Sequence, residues 1–172
     1  MSAYPIPFGH AISAFPTPRR RVAAALAALA AAFVLLQPAA SRAQPQPPLP
    51  RVELQAGIHV IRAELAANDR TRARGLMFRE RLGPSEGMLF VFASPSRQCF
   101  WMRNTLIPLS IAFIDDDGSI VNVEDMQPRT DDSHCSAKPV RYALEMEQGW
   151  FAKRGLRAGS RLTGPAGMFG SR

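Results

Sequence analysis

Apolar and polar positions alternate over much of the stretch between residues 58 and 162. Ile58, Val60 and Arg62 fall on one side of an extended chain and His59, Ile61, Ala63 and Leu65 on the other, which is the two-residue period of a strand. Asn68 or Asp69 caps a short polar helix through Arg74, and Gly75 ends it. The turn Gly83-Pro84-Ser85-Glu86-Gly87 launches Met88-Leu89-Phe90-Val91-Phe92, a continuous apolar run that reads as a buried strand. Ser94-Pro95-Ser96 turns the chain again, and short strands follow at 99–102 and 109–114. Asp115-Asp116-Asp117-Gly118 predicts a hairpin whose second strand runs from Ile120 to Asp125 or Met126. Beyond a polar loop at 127–138 lie a strand at 141–146, a short helix at 148–154 closed by Gly155, and a last strand at Arg161-Leu162. Six or seven short strands and two helices of two turns predict a mainly β fold of the β-rich α+β kind. The expected architecture is a compact, small, β-barrel-like single domain.

Upstream the pattern changes. Arg19-Arg20-Arg21 precedes Val22 to Leu36, an uncharged and almost wholly apolar run, and Pro38 and Ser41-Arg42-Ala43 follow. A basic start, a short apolar run and a small-residue site make a secretory signal. A permanent span needs roughly 20 apolar residues. Residues 1–43 are therefore expected to be a cleaved signal peptide, cut after Ala43, with the paired arginines leaving a twin-arginine route open beside the Sec route. The mature protein would then be periplasmic or secreted. Residues 44–50 hold four prolines and read as a linker, residues 51–162 as the folded domain, and residues 163–172, rich in glycine, as a flexible tail.

Charge changes the picture once the leader is set aside. The chain of 172 residues carries 21 Lys+Arg against 14 Asp+Glu. Residues 1–43 hold four of those arginines and no acid, so 44–172 carries 17 against 14, a balance of +3. That is weak ground for a nucleic-acid partner, and an apolar share of 47% excludes a disordered chain. No stable membrane span should remain after cleavage, and a monomer is expected.

The two cysteines, Cys99 and Cys135, lie 36 residues apart and outside any Cys-x-x-Cys pair. Export favours a disulfide between them, with free buried thiols or a redox or metal role as the alternatives. His134-Cys135 beside Asp131 and Asp132 has no third ligand at a telling spacing. Six methionines after residue 43, with His59 and His134, have the ligand softness for copper(I), but methionine also fills irregular cores and no Met-x-x-Met cluster occurs. No metal or cofactor is predicted. Arg70, Arg72, Arg74, Arg79 and Arg81 form a cationic band that is either a solvated, ion-paired face or an anion site. Asn104 and Thr105, set among large apolar groups, either tie down a loop or line a pocket.

The blocks Arg74-Gly75-Leu76-Met77-Phe78-Arg79, Gly87 to Phe92, Phe100-Trp101-Met102-Arg103-Asn104-Thr105-Leu106-Ile107-Pro108-Leu109, Phe113-Ile114-Asp115 with Gly118, and Arg141 to Glu145 with Gly149-Trp150 resemble the family called domain of unknown function 192. Arg103 stands where that family usually has lysine, which keeps the charge and changes its geometry. The resemblance implies a compact β-barrel-like domain, often exported, and no reaction. Some exported members resemble this chain in carrying cysteines at the positions of Cys99 and Cys135, which supports the bridge. The favoured reading is a non-catalytic envelope module binding an anionic ligand or an envelope partner in a groove edged by Arg74, Arg79, Trp101, Arg103, Asn104 and Glu145. The rival is a hydrolase or transferase with Glu145 as general base and Arg74 or Arg103 holding an anion. That rival needs a raised carboxyl pKa, which a nearby arginine would oppose.

Overall fold

The computed structural model describes residues 49–170. The expected leader and residues 44–48 of the linker lie outside the described residues. The elements are β1 (Arg51–Ala56), β2 (His59–Ala66), α1 (Asp69–Arg74), β3 (Glu86–Ser96), β4 (Cys99–Phe100), β5 (Leu109–Ile114), β6 (Ile120–Met126), β7 (His134–Cys135) and β8 (Val140–Glu147), with a 3₁₀ turn at Ala152–Arg154. Six strands make one sheet in the order β1-β2-β3-β8-β5-β6, and β4 pairs with β7 in a second, two-stranded sheet. Only β2 and β3 run parallel within the large sheet, and α1 lies in the crossover between them.

The fold is mainly β, as expected, but the barrel is corrected: the six-stranded sheet is open, with β1 and β6 at its edges. A short C-terminal segment lies near both edges instead. Thr163 exchanges backbone hydrogen bonds with Gln55 of β1, while Leu162 N–H donates to Gly118 O and Ile120 N–H to Ser160 O beside β6. The strand expected at Arg161-Leu162 is thus reduced to isolated bridges, Ser119 with Arg161 and Gln55 with Thr163. The helix expected at 148–154 is a turn ending in the 3₁₀ segment Ala152–Arg154. At the first helix, Asn68 and Thr71 form a reciprocal capping box, and Gly75 (φ +49°) ends the element in a conformation that favours glycine.

The sheet is buried on both faces, and β5 and most of β8 are buried at successive positions. One face packs Leu54, Ile61, Leu89, Ile114, Leu144 and Met146 under Trp150, Phe151 and Leu162. The other packs Met88, Phe90, Ile111, Phe113 and Ala143 under Leu76 and Met102. Phe100 of β4 sits edge-on to Phe90 (centroids 4.9 Å apart) and Phe113 (5.8 Å) on this second face. Cys99 and Cys135 are bonded directly across the β4–β7 pair, S–S 2.08 Å. A disulfide there accords with an oxidising compartment. Among the described residues no helix is long and apolar enough to cross a membrane.

Candidate functional site: a buried carboxyl beside an unpartnered arginine

On the second face, strand register sets three glutamates in one row. Glu64 of β2 lies opposite Met88 of β3, Met88 opposite Glu145 of β8, Glu145 opposite Ile111 of β5, and Ile111 opposite Glu124 of β6. At about 4.8 Å between neighbouring strands, Glu145 stands roughly 10 Å from each outer glutamate. The outer two are matched by cations or hydrogen-bond donors. Glu64 accepts from Arg79 at 2.6 Å, with Arg51 at 4.0 Å. Glu124 meets His134 Nδ1 at 3.0 Å and Asn122 Nδ2 at 3.3 Å.

Glu145 is different. It is 5% exposed, and among the described residues its carboxyl makes no hydrogen bond and no ion pair. Burial without a compensating charge penalises the ionised form, and the carboxyl is pushed up to about 8. Gly87 makes this packing possible. A Cβ there would collide with the Glu145 carbonyl oxygen and Met146 Sδ, so only glycine lets β3 lie this close to β8.

Glu145 opens into a narrow cleft under α1 that it shares with Arg74, Trp101 and Thr105, walled by Leu76, Phe90 and Phe100. The cleft holds about 40 Å³. A water molecule needs roughly 10–15 Å³, so the cleft has room for a small group. The Arg74 Nε is buried with no hydrogen-bond partner, and Arg74 joins no ion pair among the described residues. Arg72, which also lines the cleft, is committed elsewhere. It pairs with Asp69, donates to Val91 O at 2.8 Å, and lies over the Phe92 ring. The arrangement offers a cation, a neutral carboxyl and a hydroxyl around a small space of mixed polar and apolar lining.

The predicted groove residues are divided among different places. Arg74, Trp101 and Glu145 share the cleft. Arg103 stacks on Trp101, its guanidinium 4.1 Å from a ring centroid, and pairs with Asp131 at 2.7 Å. Asn104 accepts the Phe78 N–H at 3.0 Å through its backbone, and its side-chain amide lies 3.9 Å from Met77 Sδ. Arg79 lines a separate, more open hollow of about 560 Å³ with Phe78, Arg81, Leu82 and Glu86. Sequence reasoning did not single out Phe90 or Phe100 as cleft walls, nor the match of Glu124 with His134. The register that brings them together is non-local, although the even positions of β2 already set Glu64 on the same side as Ala66. His134 and Glu124 are a pair without a third ligand: among the described residues no three His, Cys, Asp or Glu side chains gather as a metal site would require.

Among solved structures, the chain is similar to a protein of Sinorhizobium meliloti 1021 described as a candidate transcription regulator, at 36% identity and a TM-score of 0.62, covering 66% of this chain and 92% of that one. It is also similar to a protein of unknown function from Novosphingobium aromaticivorans DSM 12444, at 37% identity and a TM-score of 0.62, covering 66% and 83%. No curated protein matches. The family model for domain of unknown function 192, described as an uncharacterized ACR, matches residues 51–164, all eight strands and the cleft among them. The chain belongs to that family.

Proposed function

We propose that this protein is an exported, non-catalytic binding module that holds an anionic group between Arg74 and Glu145. The observation that carries the reading is Arg74, which lines the cleft, joins no ion pair among the described residues and has a buried Nε with no hydrogen-bond partner among them. A buried donor left unpaired costs about 1–3 kcal/mol. Arg74 suits an anion because its guanidinium is always charged and can donate twice. Export is supported by Arg19 to Ala43, with their basic, apolar and small-residue order, and by the disulfide. The regulator description of the Sinorhizobium protein is not adopted for this chain. The one α-helix among the described residues has six residues, and the charge outside the leader is nearly balanced.

The test is titration of the purified protein with acetate, phosphate and sulfate, followed by calorimetry. At least one anion should bind saturably, Arg74→Met should abolish the binding, and Arg79→Met should keep it. Failure of all three anions to bind would refute the reading.

The raised Glu145 carboxyl also favours a second reading, a hydrolase or transferase with Glu145 as general base, because a pKa near the working pH suits proton transfer. Its signature would be turnover of an ester or phosphoester substrate that Glu145→Gln abolishes.

A further inference from the structure

We infer that the group held in the cleft is a single carboxylate, accepting a hydrogen bond from protonated Glu145 while Arg74 supplies the balancing charge. The inference rests on the anion-binding reading above and adds the chemical class of the ligand and its dependence on protons.

From β2, Glu64 is held by Arg79 and Arg51. From β6, Glu124 is matched by His134 of β7. β3 and β5 set only Met88 and Ile111 beside Glu145. From α1, Arg72 is taken by Asp69 and the Val91 carbonyl, so among the described residues Arg74 is the cation left to the cleft. On the 100–105 segment, Arg103 is stacked on Trp101 and paired with Asp131. With Glu145 protonated, the cleft carries one positive charge. A monoanion neutralises it, whereas a dianion would leave a net negative charge against Leu76, Phe90 and Phe100, where burial of unpaired charge is costly.

Size and donor count agree. The small cleft suits a planar carboxyl group. The Arg74 guanidinium, the Glu145 hydroxyl and the Thr105 hydroxyl bring donors to the lone-pair sites of one carboxylate. The apolar walls take the carbon that follows it. No bond is made or broken: the proton stays on Glu145 and is shared by hydrogen bonding with the bound oxygen. Ionised Glu145 would instead repel the ligand. Because burial raises this carboxyl to about 8, the protonated form prevails at neutral pH.

The experiment is calorimetric titration of the full protein from pH 5.5 to 9.5 with four probes: acetate, phosphate, a tripeptide with a free C-terminus, and the same tripeptide amidated. Acetate or the free tripeptide should saturate, with an affinity that is level up to about pH 7 and falls tenfold per pH unit above about 8. The amide should not bind. Glu145→Gln, which keeps a donor and cannot ionise, should flatten the profile, and the wild-type profile tests the inference even if a variant misfolds. A free tripeptide at least tenfold tighter than acetate would point to a polypeptide C-terminus as the source, and equal affinities to a free small acid. Phosphate binding better than acetate, with Arg74→Met still abolishing it, would overturn the carboxylate inference and leave anion binding standing. Carboxylate binding that is level through pH 9.5 would overturn the proton dependence. Absence of all binding would remove the underlying reading as well.

Discussion

Replacing Glu145 with glutamine should stabilise this protein, and the gain should grow with pH. In the fold the carboxyl is pushed from its ordinary value of 4.5 up to about 8 by burial. Between these values the unfolded chain is ionised and the folded one protonated, so the folded state binds the extra proton and wild-type stability falls as pH rises. Each pH unit in that window removes about 1.4 kcal/mol. The cost is nil below about pH 4.5, reaches about 3 kcal/mol at pH 7 and levels off near 5 kcal/mol above pH 8. Glutamine is neutral throughout and nearly isosteric. The difference between variant and wild type therefore isolates this one group, since all other titrations cancel. For a folded region of this size 1 kcal/mol corresponds to roughly 4 °C, so Glu145→Gln should melt about 10 °C higher at pH 7. At pH 4.5 the two should melt together. Scanning calorimetry of both proteins at half-unit steps from pH 4.5 to 8.5 measures this directly. A melting difference constant across that range would refute the reasoning, because it would mean that Glu145 titrates at the same pH folded and unfolded. A residue that lowers stability at working pH is one whose retention needs a reason other than folding.

Three further outcomes are expected. The oxidised protein should weigh two hydrogens less than the dithiol form, and Cys99→Ser/Cys135→Ser should lose about 3–4 kcal/mol in urea unfolding, the chain-entropy value for a separation of 36 residues. Arg79→Met should cost about 2–3 kcal/mol by leaving Glu64 buried with only Arg51 at 4.0 Å, and adding Glu64→Met should restore most of it. Gly87→Ala should cost about 2 kcal/mol and lower the melting temperature, because its Cβ meets the Glu145 carbonyl oxygen and Met146 Sδ; an unchanged melting temperature would show that β3 can move away from β8 freely.

Local chemistry made much of the fold legible before the structure. The extents of β5 and β6 follow from apolar content interrupted by an Asp-Gly turn, and α1 from Asn68 and Gly75. β1 was missed although Val52, Leu54 and Ala56 alternate with Arg51, Glu53 and Gln55 as clearly as any strand here; the prolines just before it drew attention to the linker instead. β7 could not be seen, since two residues carry no period and their pairing with β4 is non-local. The same limit governs the site. Arg74, Trp101 and Glu145 were singled out and share one cleft, whereas Arg79 was grouped with them by its place in the cationic band and lies instead on Glu64. Which arginine meets which carboxylate is decided by strand register, and register depends on partners far apart in sequence.

The disulfide also bears on the order in which the site can come into being. β4 and β7 are two residues each, too little ladder to hold themselves. Their covalent link keeps Phe100 against Phe90 and Phe113, and Phe100 is a wall of the cleft. Without the link that wall would rest on packing and on hydrogen bonds such as Ser136 N–H to Gln98 O and Met102 N–H to Thr130 O, a weaker hold than the covalent one. Under the proposed export and binding, the cleft would be firmest once the chain has been oxidised.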